Sequence, residues 1–303
     1  MTIFQGILLG ILQGVAEFLP ISSSGHLTLA QHLFGLEEVP LLFDVFLHLA
    51  TLAAVLLYFR KKVWKLLKVL GRWIARRPEP EHPELENDPL MGTDKAGRKT
   101  IVAIIITTAI TGAIGVLTSK LIPELPVKMI CIGFIITAVL LVVSSILSNR
   151  QRKTLEAKAA AENGVNATQP AAESSDSTPK GISPLQAIII GIMQGFGTLP
   201  GISRSGSTIA GALFCKVNRQ AAGDYSFIVS IPAILGAFIL ELKDLGEVSS
   251  NVGILPLIAG CAAAFATGYI SLVFLMKLIR RGKLQWFACY LIPVAILGLI
   301  FLH

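Results

Sequence analysis

Two polar stretches lie in strongly apolar surroundings, and each carries groups that could act on a phosphate ester. The first stretch, from Gln13 to His26, contains Glu17 and three consecutive serines. The second, which includes the segment 194–208, contains Arg204 between two serines. A carboxylate, an imidazole and hydroxyls can transfer protons or attack phosphorus, and a guanidinium offers two donors to phosphate oxygens. The residue types indicate a phosphate-ester or pyrophosphate site that needs both stretches.

The two stretches are diverged copies of one motif. Residues shared by both copies pair at one constant offset: Gln5 with Gln186, Gly10 with Gly191, Ser22 with Ser203, and Gly25 with Gly206. The first copy alone has Glu17 and His26, and the second copy alone has Arg204. Membrane chains built from two related halves usually form their site where the halves meet. We therefore expect the proton-handling groups of one half to lie beside the fixed cation of the other.

Glu17 is the strongest single candidate in the first motif. It lies four residues after Gln13, so both side chains share one helix face. A carboxylate inside an apolar helix is costly and indicates function, here as a general acid or base or as a metal ligand. The alternative is a buried structural hydrogen-bond partner. Arg204 has a matching alternative, a structural ion pair with Glu17.

The nucleophile is left open by the sequence. His26 could attack phosphorus directly, or it could activate Ser23, or a metal could activate water. Glu17 could bind the metal, or it could orient and deprotonate His26 or Ser23. The remaining hydroxyls, together with Gln13, are predicted to bind substrate phosphates at helix starts, or else to cap those helices. These hydroxyls belong to Ser22, Ser24, Ser203, Ser205 and Thr208.

The composition indicates an integral membrane protein. Of 303 residues, 53% are hydrophobic and only 15% are charged, against about a quarter charged in soluble domains. The net charge of +7 could suggest nucleic-acid binding. However, no Lys or Arg precedes Arg60, and the later ones cluster beside apolar runs. That pattern marks cytoplasmic loops and argues against a nucleic-acid partner.

The apolar runs predict an all-α polytopic fold. Six runs are long enough to span a bilayer, and they lie near 41–60, 99–119, 126–147, 221–241, 253–277 and 285–302. Each motif lies between two shorter runs, near 3–18 and 25–36 and near 184–198 and 206–218. Short broken segments at matching places in two halves predict re-entrant helical hairpins.

The chain therefore divides into two repeats and a linker. Residues 1–150 form the first repeat, with its hairpin near 3–36, and residues 182–303 form the second, with its hairpin near 184–218. Residues 151–181 lack large apolar groups and are expected to be a disordered cytoplasmic linker. If the basic loops are cytoplasmic, the hairpins enter from opposite sides and the repeats are inverted.

Two further patterns accompany the motifs. Small-residue stripes, formed by Gly6, Gly10, Gly14, Gly191 and Gly195, predict close helix packing. Asp44 and His48 lie four residues apart at the start of the third segment, and this spacing favours a satisfied pair, or a lone histidine at a helix end, over a support for the site or a metal contact.

The first motif, Gln13-x-x-x-Glu17-Phe-Leu-Pro-x-Ser-Ser-x-Gly-His26, and the second, Pro200-Gly-x-Ser-Arg-Ser-x-x-Thr208, resemble those of the undecaprenyl-diphosphatase, or bacitracin-resistance, family. The resemblance implies a phosphatase of the bacterial inner membrane that acts on a polyprenyl diphosphate lipid. It also implies dependence on Mg²⁺ or Ca²⁺, with Glu17 as the candidate metal ligand, and a site open toward the periplasm. Many family members have Glu where this chain has Gln13, which shifts weight to Glu17 and His26.

Two questions of function and assembly stay open at this stage. The alternative function is a lipid-carrier transporter or flippase, because inverted repeats with broken helices are the usual build of secondary transporters. A homodimer is also left open.

Overall fold

The computed structural model describes residues 1–33, 41–80, 86–122, 125–162, 180–244 and 253–301. Within these ranges the chain is helical and has no strand. The helices are α1 (Ile3–Phe18), α2 (Ser23–Leu33), α3 (Leu41–Ile74), α4 (Asp94–Leu121), α5 (Val127–Glu162), α6 (Pro184–Phe196), α7 (Arg204–Phe214), α8 (Arg219–Asp244), α9 (Ile254–Arg281) and α10 (Ala288–Phe301), with a 3-10 turn at Leu284–Phe287 before α10.

Six of the helical segments are long and apolar enough to cross a membrane, which confirms the predicted polytopic fold. They are Phe43–Ile74, Asp94–Leu121, Val127–Ala157, Arg219–Leu240, Ile254–Arg281 and Leu284–Phe301. Large apolar side chains such as Ile105 and Leu255 are exposed on their outer surfaces. Exposed apolar surface of this extent is what a lipid environment requires.

Two helices run further than the apolar pattern predicts. α3 continues past residue 60 to Ile74 through Lys, Leu and Arg residues, which favour a helix even where they are too polar for a membrane core. α5 continues to Glu162, so residues 151–162 are helical although they fall in the predicted disordered linker. Their Arg, Lys, Glu and Ala content explains the extension. Residues 163–179 of that linker lie outside the described ranges.

Both motifs lie in a helix–break–helix hairpin, α1–α2 in the first half and α6–α7 in the second. The two hairpins begin alike. Thr2 and Gln5 form a capping box at the start of α1, and Ser183 and Gln186 form the same capping box at the start of α6. The repeated glutamines therefore serve to start the helices. The inverted orientation of the two repeats stays a prediction.

The first helix of each half packs against the other half. α1 lies along α9, and α6 lies along α4. The glycine stripes permit this approach: a Cβ on Gly10 would lie 2.2 Å from the Gly260 carbonyl oxygen, and one on Gly14 would lie 2.5 Å from the Ala264 carbonyl oxygen. Where α6 packs along α4, Thr107 Oγ1 donates to the Ala187 carbonyl at 2.9 Å. The predicted role of the glycines in close packing is confirmed.

Replacing Gly10 by Ala should destabilise the protein, because the new methyl group has no room between α1 and α9. Overpacking of this kind costs about 1–3 kcal/mol. Gly112, in the interior of α4, is the matched control, since a Cβ there would meet nothing within 4 Å. Melting temperature in detergent should fall for Gly10→Ala and stay level or rise for Gly112→Ala. Equal melting temperatures would contradict the close packing.

Candidate active site

The two hairpin tips touch each other in the protein interior. Ser205 Oγ, at the start of α7, donates to the Phe18 carbonyl at the end of α1 at 3.1 Å. A Cβ on Gly206 would lie 3.1 Å from Cβ of Pro20, so a larger residue would press the tips apart. The two motifs therefore form a single site, as their complementary residue types predicted.

Glu17 is the centre of that site. It is 5% exposed, and its two carboxylate oxygens have separate partners. Oε1 forms an ion pair with Arg204 Nη2 from the second motif. Oε2 accepts from Ser23 Oγ at 2.7 Å and from Gln13 Nε2 at 3.0 Å. Acid, cation and hydroxyl are thus brought together from both halves of the chain.

His48 on α3 joins this cluster, although it was not placed among the predicted site residues. Its Nδ1 lies 2.9 Å from Gln13 Nε2 and 3.4 Å from Glu17 Oε2. An amide nitrogen only donates, so Nδ1 of His48 is the acceptor in the contact with Gln13. The only signal in the sequence was the position of His48 one helical turn after Asp44. Nothing in the sequence placed α3 beside the first motif.

His26 has partners other than Glu17 and Ser23. It is 7% exposed, with Nδ1 2.9 Å from the Ser22 carbonyl oxygen and Nε2 3.0 Å from the Tyr290 hydroxyl. The sequence offered Glu17 as the group that orients His26, and His26 as the group that activates Ser23. In the structure Ser23 contacts Glu17 directly, and the His26 ring nitrogens are engaged elsewhere.

The hydroxyls of the second motif hold its own backbone. Ser203 Oγ accepts from the Gly206 amide at 3.1 Å and is the N-cap of α7. Thr208 Oγ1 donates to the Arg204 carbonyl at 2.6 Å and lies 3.2 Å from Gln194 Oε1. Of the hydroxyls predicted to bind phosphate, Ser203, Ser205 and Thr208 thus have structural contacts. Ser24, on α2, is exposed.

Buried polar atoms without a partner concentrate in the two motifs. Of the eight such atoms among the described residues, five lie there: Gln13 Oε1, Ser22 Oγ, Gln194 Nε2, Arg204 Nη1 and Ser207 Oγ. A buried donor or acceptor left unpaired costs about 1–3 kcal/mol. Four of these atoms can donate a hydrogen bond, and both α2 and α7 begin at these tips. The tips are therefore arranged to receive an anionic group rich in acceptors.

Ser22 adopts a backbone conformation that its counterpart in the second motif does not share. Its φ is 71°, in the left-handed region that non-glycine residues rarely occupy. Ser203, at the matching position, has φ −76° and caps its helix normally. The carbonyl of Ser22 accepts from both the amide and Nδ1 of His26. Backbone strain of this kind clusters at functional sites.

The side-chain oxygens of the site are ligands of the kind that Mg²⁺ or Ca²⁺ binds, provided that substrate oxygens complete the coordination shell of the ion. In the described part of the chain no three His, Cys, Asp or Glu residues cluster closely enough to hold an ion. The Glu17 carboxylate and the unpaired Gln13 Oε1 are hard oxygen ligands in one site. Mg²⁺ commonly takes one or two carboxylates and completes its shell with phosphate oxygens and water.

Comparisons with known proteins agree over nearly the whole chain. Residues 6–297 match the family described as Bacitracin resistance protein BacA. An undecaprenyl-diphosphatase of Treponema denticola is 45% identical over 98% of this chain and 96% of its own length. Proteins of the same name from Carboxydothermus hydrogenoformans and Desulfatibacillum aliphaticivorans are 37% and 38% identical, over 100% and 96% of this chain and 97% and 96% of their own lengths.

Ser22→Gly should stabilise the protein, because glycine adopts φ near 71° without strain and the change also removes an unpaired buried hydroxyl. A gain of about 1 kcal/mol is expected. Ser203→Gly is the matched control in the second motif, where loss of the N-cap side chain should cost a few tenths of a kcal/mol. Melting temperature in detergent should rise for the first variant and fall slightly for the second. A fall for both would contradict strain at Ser22.

Proposed function

We infer that this chain, which belongs to the Bacitracin resistance protein BacA family, is an undecaprenyl-diphosphatase of the bacterial membrane. It hydrolyses undecaprenyl diphosphate to undecaprenyl phosphate and phosphate, and so returns the lipid carrier to cell-wall synthesis. The family match, the similarity to the named relatives and the six membrane-length helices support this assignment. The observation that carries it in the structure is the pairing of Glu17 with Arg204 across the two motifs.

The diphosphate is proposed to bind at the hairpin tips, with the polyprenyl tail between the helices. Arg204 keeps Nη1 unpaired while Nη2 holds Glu17, so one guanidinium can bind a phosphate oxygen and the acid together. The unpaired hydroxyls of Ser22 and Ser207 can add donors. Donors fixed before the substrate arrives stabilise the charge that spreads over the transferred phosphoryl group.

Ser23 is the nucleophile that the contacts favour. Its hydroxyl already donates to Glu17 Oε2 at 2.7 Å, which is the arrangement of an activated nucleophile and its base. Ser23 Oγ would attack the terminal phosphorus while its proton passes to Glu17. The bond to the bridging oxygen then breaks and undecaprenyl phosphate leaves. Water subsequently hydrolyses the phosphoserine and releases phosphate.

Glu17 and Gln13 are the residues that would hold Mg²⁺ or Ca²⁺. When bound, such an ion would neutralise part of the negative charge of the phosphates. Gln13 cannot ionise, so of these two residues only Glu17 brings a carboxylate to the ion. The Gln13 amide replaces part of what a second carboxylate would supply. Its Nε2 donates to Glu17 and to His48, and its unpaired Oε1 can bind the ion.

The orientation that we propose follows the charges. The basic segments at the end of α3, at the end of α5 and at the end of α9 face the cytoplasm, because positive residues are retained there. The site would then open toward the periplasm.

Hydrolysis is favoured over lipid flipping as the main function, since flipping needs neither a hydroxyl paired with a carboxylate nor unpaired donors beside it.

Phosphate release from undecaprenyl diphosphate by purified protein in detergent tests this function without any membrane gradient. Arg204→Gln and Ser23→Ala should each lower the rate by about 10²-fold or more, since each removes a group that acts in the transition state. The matched controls are Arg60→Gln and Ser119→Ala, which change an exposed guanidinium and an exposed hydroxyl outside the two motifs. Both controls should keep full activity.

Acid quenching during turnover tests the nucleophile separately. We expect an acid-stable phosphoserine in the native protein that is missing in Ser23→Ala. An acid-labile phosphohistidine would transfer the nucleophilic role to His26. Turnover without any phosphoprotein would assign it to water. Near-normal phosphate release by Arg204→Gln would overturn the assignment of the site itself.

A further inference from the structure

Tyr290 contacts the first motif from the far end of the chain. It lies on α10, and its hydroxyl oxygen is 3.0 Å from His26 Nε2. Its ring also stacks on the His26 ring, with centroids 5.6 Å apart and planes inclined by 16°. Phe134 on α5 packs against the same imidazole, with centroids 4.8 Å apart. The imidazole is therefore fixed both by aromatic packing and by hydrogen bonds.

The partners of His26 determine its tautomer. Nδ1 lies 2.9 Å from the Ser22 carbonyl oxygen, which can only accept, so Nδ1 carries the proton. In a neutral imidazole Nε2 is then an acceptor, and the Tyr290 hydroxyl is its donor. Without that hydroxyl the lone pair of Nε2 would lack this partner in a largely buried pocket. The position of the Nδ1 proton also depends on the strained backbone of Ser22, whose carbonyl faces the ring.

We propose that Tyr290 is a positioning residue of the active site, whose hydroxyl donates to Nε2 and holds His26 in the tautomer that directs its Nδ1 proton to the Ser22 carbonyl. This role rests on the proposed function, because the Ser22 carbonyl that His26 holds directly precedes the proposed nucleophile Ser23, and its orientation affects turnover only if phosphoryl chemistry occurs there. Second partners that fix the tautomer of a functional histidine are a general feature of acid–base sites. Tyr290 acts through His26 and has no direct part in the bond-breaking step.

Tyr290→Phe isolates the hydroxyl, because phenylalanine retains the ring that stacks on His26. Because a less constrained His26 would hold the Ser22 carbonyl, and with it Ser23, less firmly, kcat should fall about tenfold while KM for the lipid changes by less than about twofold. Tyr269→Phe is the matched control, since Tyr269 on α9 lies against Tyr58, with ring centroids 6.2 Å apart. It should leave both constants unchanged.

A chemical readout separates positioning from a general structural effect. Diethyl pyrocarbonate modifies unprotonated imidazole nitrogens, and peptide mass spectrometry locates the modified histidine. Tyr290 is 46% exposed, so reagent can approach this side of the ring. Modification of His26 should be at least about threefold faster in Tyr290→Phe than in the native protein or in Tyr269→Phe, because Nε2 has lost its donor. His48 serves as an internal reference whose rate should not change.

The two readouts together decide the proposal. A lower kcat with faster modification of His26 supports it. An unchanged kcat overturns it whatever happens to the modification rate, and an unchanged modification rate overturns it whatever happens to kcat. If the native protein releases no phosphate at all, the proposed function fails. The modification rates then still report whether the Tyr290 hydroxyl shields Nε2.

Discussion

The ion pair between Glu17 and Arg204 is the constraint on which the rest of the site depends. Each charge is carried by a different half of the chain, and the carboxylate is almost fully buried. A charge in an apolar interior without a partner costs several kcal/mol, so neither motif is stable at this depth alone. The pair therefore forces both hairpin tips to the same place. It also keeps Arg204 oriented, with one nitrogen bound and one left for a ligand.

Helix packing supplies the close approach that this pair needs. α1 packs along α9 of the second half, and α6 packs along α4 of the first half. Each hairpin is thus held by the half that does not contain it. Glycines on both hairpin helices remove the side chains that would keep the backbones apart. Backbone carbonyls exposed by this approach accept from threonines, as Thr107 shows on α4.

The two copies of the motif have diverged in conformation as well as in residue type. In the second motif Ser203 caps α7 with ordinary backbone geometry, and its hydroxyl is fully used. In the first motif Ser22 is strained and its hydroxyl is unpaired, while its carbonyl fixes His26. The second copy therefore presents Arg204 from a regular, capped helix start. The first copy holds the strained Ser22 backbone beside Glu17, Ser23 and His26.

Much of the fold and part of the site could be predicted from the sequence. The length of the apolar runs indicates which helices span the bilayer, and the repeated motif indicates which two segments come together. The six spanning helices, the breaks in the hairpins and the Glu17–Arg204 pairing all follow from these two signals. His48 and Tyr290 could not be placed in this way. They lie 35 and 264 positions from the residues that they contact, on helices whose packing no local pattern encodes. The apolar pattern does not predict the extensions of α3 and α5. Hydropathy marks only the part of a helix that lies in the bilayer, whereas these helices continue into polar sequence.

Thermal unfolding of a double-mutant cycle tests the central ion pair most directly. The cycle compares Glu17→Gln, which keeps the shape of the side chain, with Arg204→Gln, which removes the cation, and with the double variant. If the charges compensate each other, Arg204→Gln alone should lose about 3–5 kcal/mol of stability, because it leaves Glu17 buried without its cation. The double variant should then be more stable than Arg204→Gln. Losses that simply add would show that the two residues do not interact and would contradict a site shared by both halves.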